Sequence, residues 1–134
     1  MEATEIRYGK KRTLDLSLEE AEARIREELE KEGFGILTEI DVKATLKKKL
    51  DADFRPYRIL GACNPGMAHR ALSAETDIGL LLPCNVVVYA GDEAGTSVVA
   101  ILDPEVQLGV TGRDDLEPVA REVREGMERA LAAV

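Results

Sequence analysis

The sequence predicts one α+β domain, residues 1–134, in which an antiparallel or mixed sheet carries its helices on one face. A chain of 134 residues fits a single compact domain, and a domain of this size typically buries about two-thirds of its unfolded surface. Segments rich in β-branched residues alternate with segments whose apolar residues recur at helical spacing. Two strands follow each other across a short loop, which indicates a hairpin and an antiparallel pair. The predicted order is β-α-β-(short α)-β-α-β-β-α.

The first part of the chain is predicted to contain a strand region, a helix and a second strand. Residues 4–16 form one extended strand or a pair of short strands. Ser17 is followed three residues later by Glu20, and this capping box begins a helix. Gly33 ends the helix at the position that favours a left-handed backbone. Residues 34–40 then alternate as a strand.

A short helix and a third strand follow. Asp41 is a suitable cap for a helix over residues 42–50, where apolar side chains recur every four residues. Residues 55–63 form the next strand, and Pro56 marks its start or an edge position because proline has no N–H for the ladder.

The next helix has a clear beginning in the sequence. Asn64 is a preferred helix cap, and Pro65 suits the first helical position. We expect this helix to end near Ala74. A short helical turn over residues 75–81 comes next, and Pro83 ends it.

Two β-rich runs near the middle of the chain are predicted to form a hairpin. Residues 85–90 and 96–102 are the strands, and residues 91–95 are a five-residue loop. Residues 86–89 are apolar on both faces, so we expect this strand to be central in the sheet. The sheet face without helices must either be covered by another molecule or be exposed to solvent. A second copy of the chain is a natural cover, so we predict a homodimer.

The last predicted element is a long C-terminal helix. Asp103 and Pro104 are interpreted as the end of the preceding strand. The helix begins near Arg113 or Asp114, and Pro118 lies in its first turn, where a missing N–H costs little.

The composition excludes several classes of partner. The chain has 26 acidic and 18 basic residues, a net charge of −8, which argues against a nucleic-acid backbone and against an anionic membrane surface. No apolar run approaches the roughly 20 residues that cross a bilayer, and the amino terminus lacks the features of a signal peptide. We therefore expect no nucleic acid or membrane partner and a cytoplasmic location.

The balance of residue types also predicts a heat-adapted protein. Glutamate occurs 17 times, glutamine once and tryptophan never. Abundant glutamate with few thermolabile side chains is typical of proteins from thermophiles.

The most informative feature is a twin motif, Cys63-Asn64 and Cys84-Asn85. The chain has only two cysteines and two asparagines, and each cysteine is followed directly by an asparagine. We interpret the four residues as a candidate ligand or thiol site. Cys63 precedes a helix amino terminus, where free N–H groups favour a thiolate, so its pKa is expected to be depressed. Cys84 does not precede a helix amino terminus, so no such effect on its pKa is expected.

Two roles remain open for these cysteines. If their strands are neighbours, the thiols could form a redox pair, hold a soft metal ion or carry a sulfur atom. The alternative is structural, because free cysteine is often buried and packs as a small hydrophobe. A metal site of Cys63, Cys84 and His69, the only histidine, matches no zinc spacing, so no metal is assigned. No catalytic constellation or cofactor motif appears.

Several blocks of the chain together resemble the family called domain of unknown function 302. These blocks are Gly33-Phe34-Gly35, Leu60-Gly61-Ala62-Cys63-Asn64-Pro65, the run from Gly79 to Tyr89 that includes Pro83-Cys84-Asn85, and Asp103-Pro104. The resemblance implies a β-α-β(4)-α arrangement, similar to the TATA-binding-protein-like fold, in a dimer. It implies no activity, cofactor or catalytic residue, and no DNA binding, since fold and function separate readily.

Three functions are therefore compared. The first is a non-enzymatic module that binds a small ligand or serves as an accessory protein, in a homodimer. The second is a thiol-dependent redox, sulfur-transfer or soft-metal-binding protein that uses Cys63 and Cys84. The third is an interaction module with a purely structural role. The cofactor, the ligand and any reaction remain unassigned by the sequence.

Overall fold

The computed structural model describes residues 3–134 and has six strands and five α-helices in that range. The strands are β1 (Thr4–Ile6), β2 (Gly9–Leu14), β3 (Gly35–Asp41), β4 (Tyr57–Cys63), β5 (Cys84–Ala90) and β6 (Ser97–Leu102). The α-helices are α1 (Leu18–Lys31), α2 (Val42–Leu50), α3 (Pro65–Ala74), α4 (Pro104–Gly109) and α5 (Glu117–Ala133). Two 3₁₀ helices lie at Thr76–Leu81 and Asp114–Leu116.

The six strands form one open, fully antiparallel sheet in the order β1-β2-β6-β5-β4-β3. The strand region before α1 is the pair of short strands, β1 and β2, that pair with each other. The prediction that β5 is central is confirmed, because it lies between β6 and β4. Leu37 is an extra residue in the edge strand β3, where the register with β4 shifts between Ile36 and Thr38.

The helices pack on one face of this sheet, as the sequence predicts. The core lies between that face and helices α1 and α5. Val86, Val88 and Val99 are fully buried from the sheet side. Alternate residues of a strand point to opposite faces, so Val87 and Tyr89 lie on the other face, which we call the open face. The buried helix residues of this core are Leu18, Ala21, Ile25 and Leu29 of α1 and Val119, Val123, Met127, Ala130 and Leu131 of α5.

Local signals in the sequence produce the predicted helix starts. Ser17 and Glu20 form both hydrogen bonds of the capping box, which satisfies N–H groups that have no partner within the helix. The Asp41 side chain accepts a hydrogen bond from the N–H of Ala44 at 2.9 Å and so begins α2. Gly33 has a φ of +87°, the left-handed conformation that glycine adopts without strain.

Two boundaries differ from the prediction near the C-terminus. Asp103 and Pro104 do end β6, but they also begin α4, which the sequence analysis missed. The Asp103 carboxylate accepts from the N–H of Glu105 at 2.9 Å, and Pro104 is the first helical residue. A 3₁₀ helix occupies Asp114–Leu116, so α5 itself begins at Glu117, with Pro118 in its first turn.

Within residues 3–134, no helix combines the length and apolar character needed to cross a membrane. The similarity to the TATA-binding-protein-like fold stays a prediction.

Candidate functional site

An apolar cavity of about 340 Å³ lies at one end of the sheet, on its helix-covered face. Its walls come from the beginning of β3, the end of β4, the beginning of β5, the first 3₁₀ helix, and helices α3, α4 and α5. The lining side chains are almost all apolar, and the apolar ones include Phe34, Leu37, Met67, Leu72, Leu82, Leu108, Val119 and Val123. Leu37 and Leu72 are exposed to solvent, so the cavity has an open, apolar mouth.

Asn64 joins strand β4 to helix α3 at the wall of the cavity. Its side-chain oxygen accepts a hydrogen bond from the N–H of Met67 at 3.3 Å, as expected for a helix cap. Pro65 then takes the first helical position, where it removes an N–H that has no helical partner. Asn64 is therefore both a structural cap and a lining residue of the cavity.

Gly61 has no side chain, and this allows the segments on either side of β4 to lie close to its backbone near the cavity. A Cβ atom at this position would collide with the Thr38 hydroxyl and with the Pro83 ring. Thr38 and Pro83 both line the cavity, from β3 and from the segment that precedes β5. A side chain at position 61 would therefore disturb the cavity wall.

Cys84 is the more buried of the two thiols, with 8% of its surface exposed. It begins β5 opposite Ala62 of β4, and both side chains lie on the helix-covered face. Its thiol donates a hydrogen bond to the side-chain oxygen of Gln107 at 3.3 Å. Burial, together with the nearby Cys63 thiol, raises the pKa of Cys84 from its ordinary value of 9.0 to about 11. This thiol is therefore protonated at neutral pH.

Gln107 connects two walls of the cavity. Its side-chain oxygen accepts from Cys84, and its side-chain nitrogen donates to the main-chain oxygen of Leu81 at the end of the first 3₁₀ helix. One amide therefore holds α4 against both β5 and the 3₁₀ segment. Gln107 is the only glutamine in the chain, but no sequence pattern around it indicates this role. Its role depends on α4, which was not predicted.

Cys63 ends β4 opposite Gly35 and is half-buried. We expected the amino terminus of α3 to depress its pKa. That expectation is wrong in direction, because burial raises the pKa of the Cys63 thiol. Cys63 and Cys84 line the same cavity, and neither forms a disulfide.

Asn85 does not join the other three residues of the twin motif. It is exposed and lies one residue beyond Cys84 in β5, on the open face of the sheet. Side chains alternate along a strand, so the neighbours Cys84 and Asn85 point to opposite faces. The structure brings Cys63, Asn64 and Cys84 together around the cavity and places Asn85 on the other side of the sheet.

Metal-ligating side chains do not gather in groups of three or more within the described residues 3–134. In the part of the chain that the structure describes, residues 3–134, no three histidine, cysteine, aspartate or glutamate side chains could hold one ion together. His69 lies on α3 but is exposed and is not among the residues that line the cavity. The combination of Cys63, Cys84 and His69 considered from the sequence does not form.

Comparison with known proteins identifies relatives by sequence and by fold. The family model described as domain of unknown function DUF302 matches residues 10–134. A crystal structure of an uncharacterized conserved protein DUF302 from Bacillus stearothermophilus is similar to this chain, with a TM-score of 0.86 and 29% sequence identity. The similarity covers 96% of this chain and 98% of that chain. No curated protein matches the chain.

Proposed function

The chain belongs to the family of domain of unknown function DUF302, and from this premise we propose that it is a binding module whose apolar cavity holds one small apolar molecule. The observation that carries the proposal is the cavity itself, about 340 Å³ in volume and almost entirely apolar. Small-molecule sites are commonly concave, mostly apolar and about 300–1,000 Å³ in volume. This cavity lies at the lower end of that range.

Polar groups that line the cavity are few. Thr38, Cys63 and Asn64 supply a hydroxyl, a thiol and an amide among the lining residues. Such groups would orient a ligand that carries a single polar atom, while the apolar walls supply most of the binding free energy. The open mouth beside Leu37 and Leu72 supports entry from solvent. No nucleophile paired with a base lines this cavity, which supports binding rather than catalysis.

Titration with 1-octanol tests this proposal, because the molecule is neutral, apolar and carries one hydroxyl. We expect saturable binding of one equivalent by isothermal titration calorimetry, with a negative heat-capacity change. A Gly79→Leu variant should weaken binding at least about fivefold, since its side chain enters the lining. A Cβ at Gly79 meets only a Leu72 methyl carbon, at 3.9 Å, so a β-carbon fits at this position without a clash.

Gly35→Leu is the matched control for this experiment. Gly35 also has room for a Cβ, because nothing lies within 4 Å, but it does not line the cavity. We expect this variant to bind 1-octanol like the parent chain. Absence of saturable binding in the parent chain, or equal binding by both variants, would contradict the proposal.

Thiol chemistry is the second candidate function. The observation that favours it is the shared cavity, because Cys63 and Cys84 approach it from neighbouring strands and are both free. The proposal is a redox, sulfur-transfer or soft-metal-binding protein that uses these two thiols. The raised pKa of each thiol counts against it, since the thiolate is the reactive form.

Labelling with iodoacetamide at pH 7.5 separates the two candidates. Slow reaction of both cysteines in the folded protein, compared with the unfolded protein, supports the binding module. Rapid reaction of either thiol in the folded state supports thiol chemistry, because reactive cysteines are accessible and have a low pKa. Mass spectrometry after timed quenching assigns the modified residue.

We propose in addition that the module is a homodimer in the cytoplasm. Ile40 and Phe54 support the dimer, because 48% and 45% of their surfaces are exposed near the β3–β4 side of the open face. Apolar side chains exposed on one face of a sheet can form an interaction surface. The two free thiols fit a reducing compartment. Light scattering should give twice the 14.7 kDa of one chain, and a monomer alone at micromolar concentration would refute the dimer.

A further inference from the structure

A second concave surface lies on the open face of the sheet. This surface, which we call the tyrosine groove, has a volume of about 360 Å³ and runs over β5, β6 and β2. Its floor is apolar and includes Val87, Ala100 and Leu102. The sheet separates it from the apolar cavity, and the lining residues of the two do not overlap. The tyrosine groove is therefore independent of the site in the proposed function.

All three tyrosines of the chain line the tyrosine groove, and together they form what we call its tyrosine wall. Tyr57 and Tyr89 face each other across β4 and β5, and their rings stack with centroids 5.2 Å apart and planes 5° apart. The guanidinium of Arg55 lies 5.9 Å from the centroid of the Tyr89 ring, within cation–π distance. Tyr8 reaches the same groove from the β1–β2 turn.

The phenol of Tyr57 remains a neutral donor at neutral pH. Burial raises the pKa of Tyr57, and the neighbouring Tyr89 and Tyr8 phenols raise it further. A neutral phenol can donate a hydrogen bond to an anion, whereas a phenolate would repel it. The Tyr57 hydroxyl therefore favours an anionic group in the groove at neutral pH.

Lys11 and Asn85 give the tyrosine groove its polar side. Lys11 pairs with Ala100 in the sheet, so its ammonium stands on the open face. Within residues 3–134, no carboxylate lies within ion-pair distance of Lys11, and none of the residues that line the groove is acidic. Asn85 adds an exposed amide that forms no hydrogen bond through its side chain within residues 3–134. This region is locally positive in a chain whose net charge is −8.

We propose that the tyrosine groove binds a planar aromatic carboxylate. The ring packs on the apolar floor and against the tyrosine wall, where flat aromatic contact adds to simple burial. The carboxylate accepts hydrogen bonds from the Lys11 ammonium and the Asn85 amide, which are donors without competing carboxylates. This assignment gives Asn85 a role separate from that of the three motif residues at the cavity.

The probes are 2-naphthoate, 2-naphthylmethanol and cyclohexanecarboxylate. The first is a planar anion, the second has the same rings without charge, and the third has the charge without a planar ring. Tyrosine ring protons in NMR spectra report on the groove directly, since all three tyrosines line it. We expect 2-naphthoate to shift these signals saturably and the other two probes to bind at least about fivefold more weakly.

Lys11→Met and Lys10→Met form a matched pair of variants. The two lysines are adjacent in β2, but Lys10 points to the other face and lies 3.3 Å from Glu128. We expect Lys11→Met to weaken 2-naphthoate roughly threefold to tenfold, as for loss of one ordinary hydrogen bond at a partly exposed site, and to leave 2-naphthylmethanol unchanged. Lys10→Met should leave both unchanged. Experiments at about 0.15 M salt limit the long-range repulsion from the net negative charge.

Three results would overturn the proposal. The first is equal binding of 2-naphthoate and cyclohexanecarboxylate, which would show that the groove does not select a planar ring. The second is equal weakening by both lysine variants, which would reflect net charge rather than the groove. The third is tyrosine signals that change with protein concentration but not with 2-naphthoate, because a second copy of the chain would then occupy the groove.

Discussion

Cys84 donates its thiol proton to the side-chain oxygen of Gln107, which lies 3.3 Å away on a helix 23 residues further along the chain. The same amide donates to the main-chain oxygen of Leu81. A single side chain therefore connects the first residue of a central strand to two helical segments that wall the apolar cavity. The cavity keeps its shape through this link as well as through apolar packing.

Replacing Gln107 with alanine should lower the stability of the protein, because it removes the links from α4 to β5 and to the first 3₁₀ helix. The substitution removes the acceptor of a buried thiol and the donor to a main-chain oxygen, so we expect the free energy of unfolding to fall by about 1–2 kcal/mol. Urea denaturation measures the change. Val106→Ala is the control, because Val106 is exposed on the same helix and should change stability by less than about 0.5 kcal/mol. Equal effects from the two variants would contradict the role of Gln107.

Much of the fold was predictable because its signals are local. Ser17 with Glu20, and Asn64 with Pro65, begin helices in the structure as their side-chain chemistry indicates. Helix α4 was missed for a physical reason. Asp and Pro can both end a strand and begin a helix, and the six residues of α4 are too few to show a helical period.

The cavity was only partly predictable, because its walls are distant in the sequence. The twin motif identified Cys63 and Cys84, which meet because β4 and β5 are neighbours in the sheet. No local pattern indicates that Phe34 and Val119 line the same space, since only the packing of α5 on the sheet brings them together. The motif also misled at Asn85, because the strand period of two places it on the other face.

The stability of the protein should fall between pH 9 and pH 11 because of Cys84. Its folded-state pKa is about 11, above the ordinary value of 9.0, so the folded state holds a proton that the unfolded state has released. The contribution is fully present below pH 9 and is lost as the pH rises towards 11. Its size is on the order of 3 kcal/mol, from about two pKa units at about 1.4 kcal/mol each.

A Cys84→Ala variant isolates this effect from the lysines and tyrosines that titrate in the same range. The variant is expected to be less stable at pH 8, since it loses buried volume, but its stability should depend less steeply on pH between 9 and 11. Urea denaturation at intervals of half a pH unit gives both curves. Parallel curves for the parent chain and the variant would show that Cys84 does not titrate as its burial indicates.

The two serines at positions 17 and 97 should respond in opposite ways to alanine. Ser97 is fully buried, and its hydroxyl has no hydrogen-bond partner within residues 3–134. Its replacement removes an unpaired buried polar group, so stability should stay within about 0.5 kcal/mol or rise. Ser17 accepts a hydrogen bond from the N–H of Glu20 at 3.1 Å, and its replacement should cost about 1 kcal/mol. A cost at Ser97 that equals the cost at Ser17 would indicate a partner for the buried hydroxyl, such as an ordered water.

The midpoint of thermal unfolding should lie above about 45–65 °C, the range that is common for mesophile domains. The composition predicts heat adaptation, and the structure arranges the charges in networks of the kind that gain importance at high temperature. Glu22, which is nearly buried, bonds to Arg58 at 2.8 Å and to Arg26 at 2.9 Å. Arg26 in turn bonds to Glu39 at 2.8 Å. The network therefore connects α1 to β4 and to the edge strand β3.

Glu22→Ala tests whether this network contributes to heat stability. The variant leaves the half-buried Arg58 without its closest carboxylate, a loss of about 2 kcal/mol for hydrogen bonds between charged groups. For a chain of this length, that loss should lower the midpoint of thermal unfolding by roughly 6 °C. Glu30→Ala is the control on the same helix, because Glu30 is exposed and forms no ion pair within residues 3–134. Calorimetric scans of the three proteins give the midpoints. A parent midpoint near 50 °C would refute heat adaptation, while equal midpoints for the two variants would assign the stability to the core instead of the network.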